Sequence, residues 1–358
     1  MSSTAAAPSP MSRTTLALAA SLGEMLEGVE FSRGAYARAA LAGGTFIRCR
    51  FAEADLREAD LRECVFDQCD LRGALLGGAF LNKAVFNRCV MDHADLRAAN
   101  LHGALVTECQ APHLQLGEAR LAMAVLTGCQ LDHAGLRSAN LDATTFSGCS
   151  LLDAAADGAL WRQTTFIECR VEQMSWTGVQ MLRAVFVATP LAGRDFGGLD
   201  LQACQFLGAD LRRASFRGAA IERCNFQQSR LDGASFAQAR GAHALFCDAA
   251  GVAVDFAGAS LPQSLFTRAR LPQARFAQAD LRQAHMAGAQ LPGADFQGAQ
   301  LTHADLRHAD LGGARLDGAT LLRTVLHGAR TDDAVFSDRA RALETDPALA
   351  EAERWRPT

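Results

Sequence analysis

Residues 269–318, cut into fives, read ARLPQ ARFAQ ADLRQ AHMAG AQLPG ADFQG AQLTH ADLRH ADLGG ARLDG. Each block opens on alanine and carries one large apolar residue at its third place. A period of five matches neither the 3.6 of a helix nor the 2 of a strand. Continued outward in the same phase, every fifth residue from Phe31 to Phe336 falls on one ladder, large and apolar except at Ala111, Ala156, Gly241, Gly251 and Thr331. Of the 20 phenylalanines only Phe80 lies off it, so the phase is not a by-product of abundant leucine.

With the ladder residue called i, the other places acquire roles. Position i−2 is small, as in Ala54, Ala94 and Ala209, and ten of the 11 cysteines stand there, all but Cys247. Small apolar groups recurring in phase mark a second buried place. Asp or Asn often fills i−1, as at Asp55, Asp95, Asn140 and Asp305, and Gly is frequent at i+2. Pro262, Pro272 and Pro292 occupy i+1. Proline followed by a residue that tolerates positive φ is the chemistry of a tight turn.

A longer period lies inside the first. Cys49, Cys69, Cys89, Cys109, Cys129, Cys149 and Cys169 are twenty residues apart, as are Phe146, Phe166, Phe186, Phe206, Phe226, Phe246 and Phe266. Phe196, Phe216, Phe236, Phe256, Phe276 and Phe296 form another such series. Like residues recurring every fourth repeat imply coils of four short sides, each side chain resting on its equivalent one rung away.

The A(D/N)Lxx motif, seen in ADLRE at 54–58 and ADLRH at 304–308, resembles the pentapeptide-repeat family over roughly residues 26–336. The resemblance implies an all-β fold, a right-handed quadrilateral parallel β-helix with i and i−2 inward and the other three places outward. A rung spacing of about 4.8 Å predicts about 15 coils and a rod of roughly 75 Å. The organisation expected is a disordered tail at 1–11, an N-terminal cap at 12–30, the β-helix at 31–336 and a C-terminal helical cap and tail at 337–358. Open β-helix ends expose unpaired backbone and need covers. Asp346 and Pro347 form a helix start there, and Leu16, Leu18, Leu22, Met25 and Leu26 supply apolar contacts at the other end.

Lys and Arg number 35 against 39 Asp and Glu, a net charge of −4. That near balance speaks against a broad phosphate-binding face and against direct nucleic-acid binding. The chain shows no secretory leader and no apolar run long enough to span a membrane, so a cytoplasmic protein without membrane contact is expected, with export by a specialised secretion system left open. Cysteines ranked in register are poorly placed for disulfides and read as buried free thiols in a reducing compartment. Cys247, off the ladder, is expected to face outward and to be the reactive thiol if any is.

A core filled by Leu, Phe, Ala and Cys leaves no room for a substrate, and no phosphate-cradling loop, CxxC pair or nucleophile elbow is present. No catalytic residue and no cofactor are expected. His93, His113 and His133 repeat at i+2 with Asp153 on the next rung, a pattern that admits a metal site. The simpler reading is an exposed polar ladder, since Gln173 then continues the series. Arg57, Arg97 and Arg137 share one edge, separated by Gly77 and Gly117, and read as a solvated face; the shallow relief around Gly288 to Gly318 suits flat docking.

The leading functional expectation is a non-enzymatic scaffold or adaptor that binds another protein, with a homodimer through an end cap left open. A second is an accessory or effector protein of a bacterial secretion system, type VI before type III, from the family resemblance and the tail Trp355, Arg356, Pro357. A third, implied by the gyrase-protecting subgroup of the family, is a DNA mimic that binds gyrase or topoisomerase. It ranks lower because the chain lacks an acidic excess and any insertion that breaks phase.

Overall fold

The computed structural model describes residues 11–355. The tail expected at 1–11 therefore lies, except for Met11, outside the described residues. The chain divides into two compact units, Met1–Gln180 and Met181–Thr358. Each is a four-sided parallel β-solenoid, and the turns number about 16.

In the first unit the twenty-residue register is explicit. Short strands β1 (Met25–Glu27), β2 (Thr45–Ile47), β3 (Val65–Asp67), β4 (Val85–Asn87), β5 (Leu105–Thr107), β6 (Val125–Thr127) and β7 (Thr145–Ser147) stack in parallel on one side. Strand β8 (Leu160–Arg162) precedes β9 (Thr165–Ile167), which pairs with β7. Leu26 pairs with Phe46, Phe46 with Phe66 and Phe66 with Phe86, each pair twenty residues apart. The other three sides are held by single parallel bridges at i−1, such as Arg50↔Asp70, Asp55↔Leu75 and Asp60↔Phe80.

Those three sides close through tight turns. The amide of residue i+3 donates to the carbonyl of i, as from Ala54 to Phe51 and from Ala74 to Leu71, both at 3.0 Å. Position i+2 is left-handed, with φ of 58° at Glu53, 63° at Gly73 and 56° at His93. Extended i+1 followed by left-handed i+2 is the type II pattern, which explains glycine there and the prolines one place earlier.

On the β1–β7 side the carbonyl of i accepts from a thiol. Cys69 Sγ donates to the Phe46 carbonyl at 3.3 Å, Cys89 to Phe66 at 3.2 Å and Cys149 to Leu126 at 3.3 Å. A small side chain with a weak donor fills i−2 and satisfies a carbonyl buried in the core. Thr144 and Thr164 do the same on a neighbouring side, each hydroxyl 2.8 Å from the carbonyl 23 residues earlier. All 11 cysteines are buried.

The division falls within β10 (Gln180–Leu182); the second unit holds β11 (Val185–Val187) and continues on isolated bridges, among them Asp210↔Arg230 and Ser215↔Ser235. It ends with β12 (Arg315–Leu316) paired with β13 (Val335–Phe336). Two phenylalanine columns on opposite sides fill it, facing each other across the core. Phe226 stacks on Phe206 at 5.1 Å and on Phe246 at 4.9 Å, and meets Phe216 and Phe236 edge-on at 5.3 and 5.1 Å. At Gly241 a Cβ would lie 2.7 Å from Ile221 and 2.8 Å from Leu261, so this gap in the apolar ladder is filled by its neighbours.

Both ends depart from the expected boundaries. Strand β1 begins at Met25, inside the segment assigned to the cap, because Leu26 already sits in register below Phe46. The residues before it form helix α1 (Arg13–Ser21), capped by the Ser12 hydroxyl, which buries Leu16, Ala19 and Ala20 against the first coil. The Tyr36 hydroxyl donates to the Met11 carbonyl at 3.0 Å. At the other end the solenoid register runs past Phe336 to a bridge between Val325 and Leu343, on an 18-residue offset. The 3₁₀ turn Arg339–Arg341 supplies the shortcut, and Arg339 lies 4.9 Å over the Phe336 ring while pairing with Glu344. Helix α2 (Pro347–Arg354) follows, with Asp346 capping the amides of Ala348 and Leu349.

Candidate interaction surface

Chemistry available to a partner is on the outer places, and the ADLR motif shows how they are fixed. Asp55 Oδ1 accepts from the Arg57 amide at 3.2 Å and from Arg57 Nε at 2.9 Å, while Oδ2 accepts from Nη2 at 2.7 Å. The i−1 aspartate thus fastens the turn and grips the i+1 arginine with both oxygens. The same clamp recurs at Asp60–Arg62, Asp70–Arg72, Asp95–Arg97, Asp210–Arg212, Asp280–Arg282 and Asp305–Arg307. The Arg57 guanidinium holds the Asp55 carboxyl below its ordinary range, as Arg97 does Asp95. At these seven places the charge is cancelled pair by pair.

One side of the first unit combines two of these arginines and a third, Arg137, with missing side chains. Arg57, Gly77, Arg97, Gly117 and Arg137 follow one another up a single i+1 column and line a shallow depression of ≈ 750 Å³ that also takes in Gln115, His133 and Gly135. Neither Gly77 nor Gly117 has positive φ. A Cβ at Gly77 would lie 3.8 Å from the Arg97 carbonyl and 4.0 Å from Arg57 Cγ; at Gly117 the nearest atoms would be at 3.7 and 3.8 Å. Those are ordinary contacts, so the backbone and its neighbours do not demand glycine. Arg57 and Arg97 are clamped by their own aspartates, and Arg137 lies 3.6 Å from Asp157 of the next rung.

The histidines expected to stack do so at the corner of this side. His93 and His113 are 4.5 Å apart with planes 3° from parallel, and His113 and His133 are 4.9 Å apart at 9°. Stacked rings turn their faces to one another, whereas nitrogen lone pairs lie in the ring planes and do not converge on a shared ion. Among the described residues, the cluster whose donors do converge is His308, His327 and Glu353, all within 4.8 Å of one another. It escaped the sequence reading because His308 is at i+2, His327 at i+1 and Glu353 on a helix outside the phase.

Cys247 corrects another expectation: it is only 9 % exposed. Its carbonyl accepts from the Gln228 amide of the preceding rung, and its thiol lies 3.9 Å from the Leu265 carbonyl of the following one. Near Gly288 the second unit has a smaller hollow, lined by Asp248, Arg268, Arg270 and Gln290, where Arg268 pairs with Asp248 across one rung at 2.9 Å. Among the described residues no helix is long and apolar enough to cross a membrane.

No curated protein matches the chain. Solved structures that it is similar to include a trypsin-treated variant of QnrB1, described as a plasmid-mediated fluoroquinolone resistance protein, at 21 % identity over 50 % of this chain and 88 % of that one, with a TM-score of 0.39. HetL, a pentapeptide-repeat protein of heterocyst differentiation regulation from Nostoc sp. strain PCC 7120, is 22 % identical over 87 % of this chain and 89 % of its own, with a TM-score of 0.14. A pentapeptide-repeat protein of the Arabidopsis thaliana thylakoid lumen is 21 % identical over 42 % and 71 %, with a TM-score of 0.16. The family model for pentapeptide repeats matches residues 37–73, 64–103, 115–153, 195–228, 252–288, 265–298 and 299–338. With more than half of its length matched in the phase that builds the coils, the chain belongs to the pentapeptide-repeat family.

Proposed function

We propose that the protein is a non-enzymatic scaffold that binds another protein through the Arg57–Arg137 side of its first unit. The observation that carries this is the pair Gly77 and Gly117: glycine costs backbone entropy, the fold requires it at neither place, and its effect is to keep the floor open between fixed arginines. Preorganised guanidinium planes beside an open floor suit a protein contact, because clamped side chains lose little further freedom on binding. Among the described residues the ladder side chains are buried, and the depression beside Arg57 and Arg97 is shallow and external.

The clamped aspartates give the DNA-mimic reading no support, since each is neutralised by its arginine two residues on. The secretion-accessory reading rests on the family and the tail; Trp355 is 73 % exposed, and Arg356 and Pro357 lie outside the described residues. The test is capture from the native host with the tagged full-length chain and with the Gly77→Gln, Gly117→Gln double variant, whose circular dichroism should be unchanged. A partner recovered by the first and lost by the second supports the assignment. Equal recovery by both removes this side from consideration, and turnover by the purified chain overturns the non-enzymatic reading.

A further inference from the structure

Helix α2 is attached to the second unit by polar contacts. Its residues Ala348 and Leu349 are exposed, Leu349 by 45 %, so buried apolar area contributes little to holding it. The contacts converge on His327, whose side chain is only 4 % exposed. The Asp346 amide donates to His327 Nδ1 at 3.1 Å, and His327 Nε2 lies 3.2 Å from Glu353 Oε2. The other oxygen of Glu353 is 3.3 Å from His308 Nε2. A further tie joins the Gly328 amide to the Thr345 hydroxyl at 3.1 Å.

A neutral imidazole has one donor nitrogen and one acceptor nitrogen. The Asp346 amide can only donate, so Nδ1 is the acceptor and Nε2 carries the proton that Glu353 receives. Both ends of the helix, its cap at Asp346 and its last turn at Glu353, are thereby tied to opposite edges of one ring. The same tautomer argues against a metal, despite the converging donors, because Nε2 has no lone pair to give while Nδ1 accepts from Asp346.

We propose that His327 is a proton-sensitive latch for the C-terminal helix, closed when its imidazole is neutral and released when it is protonated. A second proton would sit on Nδ1 and face the Asp346 N–H, leaving two donors opposed and a backbone amide without its acceptor. The charge would arise on a buried ring, one rung above Arg307, which repels it even though Arg307 is clamped by Asp305. Glu353 attracts that charge, but its carboxylate is 41 % exposed and already shared with His308, which weakens the attraction. The Asp346 carboxylate is engaged by the Ala348 and Leu349 amides, and Glu344 by Arg339, so neither is free to compensate.

The experiment is amide hydrogen exchange on the full chain, corrected for intrinsic rate, between about pH 7.5 and 5, the range in which imidazoles titrate. Wild type should lose roughly tenfold or more of the protection in residues 346–354 at the lower pH, with solenoid amides such as those of 299–306 unchanged. His327→Gln is the deciding variant, because glutamine offers the same acceptor and donor but cannot be protonated; its protection should be equal at both pH values. His308→Gln should retain the wild-type loss. The latch is refuted if wild type shows no loss, or if His327→Gln loses protection as wild type does. Stoichiometric zinc binding at the higher pH, abolished by His327→Gln, would refute it too, since that needs a lone pair on Nε2.

Discussion

Replacing Phe226 by alanine tests the core directly. Its ring is fully buried between Phe206 and Phe246, with Phe216 and Phe236 meeting it edge-on. Loss of a buried phenylalanine side chain costs about 3–5 kcal/mol, and four ring contacts place this site near the upper end. Phe226→Leu keeps most of the apolar volume and forfeits the ring geometry, for a cost of about 1–2 kcal/mol. The assay is guanidinium denaturation of the full chain followed by far-ultraviolet circular dichroism. With a slope of about 5 kcal/mol per molar, the alanine midpoint should fall by roughly 1 M and the leucine midpoint by about 0.3 M. Each coil contacts mainly its neighbours, so the alanine variant should also broaden the transition. Equal shifts for the two variants would refute the claim that ring stacking contributes beyond burial, and a shift below about 0.2 M for alanine would refute the packing account itself.

Gly34→Ala would place a Cβ 2.3 Å from the Tyr36 ring, so the N-terminal coil should lose about 1–3 kcal/mol and residues 13–36 should become the first site cut in limited proteolysis. Asp55, Asp70, Asp95, Asp210 and Asp280 are held below the ordinary carboxylate range by hydrogen bonds from their arginines, so their contribution is complete above the unfolded-state value and is lost as pH falls through the folded one. Thermal melts should therefore be flat with respect to these groups near neutrality and decline progressively below about pH 4. Burial pushes the Cys64 and Cys204 thiols up to about 12, and a chromogenic thiol reagent should find the 11 cysteines, Cys247 included, unreactive until denaturant is added.

Most of the architecture was legible in the chain because its period is local. A five-residue phase assigns i and i−2 to the interior wherever it is unbroken, and a twenty-residue phase sets four sides per coil. Both follow from counting, and the parallel pairings of Leu26, Phe46, Phe66 and Phe86 obey them. The Arg57, Gly77, Arg97, Gly117 column was legible in the same way, as an address on one side. What counting cannot give is whether a glycine is required or merely present. That depends on φ and on the distance from an absent Cβ to atoms a full coil away, and here it turned a solvated face into the candidate site.

Only the tertiary structure decided the features that break phase. Position i+1 reads as outward, yet Cys247 and His327 are buried, because neighbouring rungs and a returning helix cover them. The thiol of Cys69 reaches the carbonyl of Phe46, 23 residues earlier, a pairing set by how one coil sits on the next. At the C terminus the 18-residue closure at Leu343 and the direction in which α2 returns bring Asp346 and Glu353 to the two edges of His327. Repetition determines which side chains point inward; a non-repeating segment meets the solenoid wherever its turn geometry and hydrogen bonds are satisfied, and that is settled only in three dimensions.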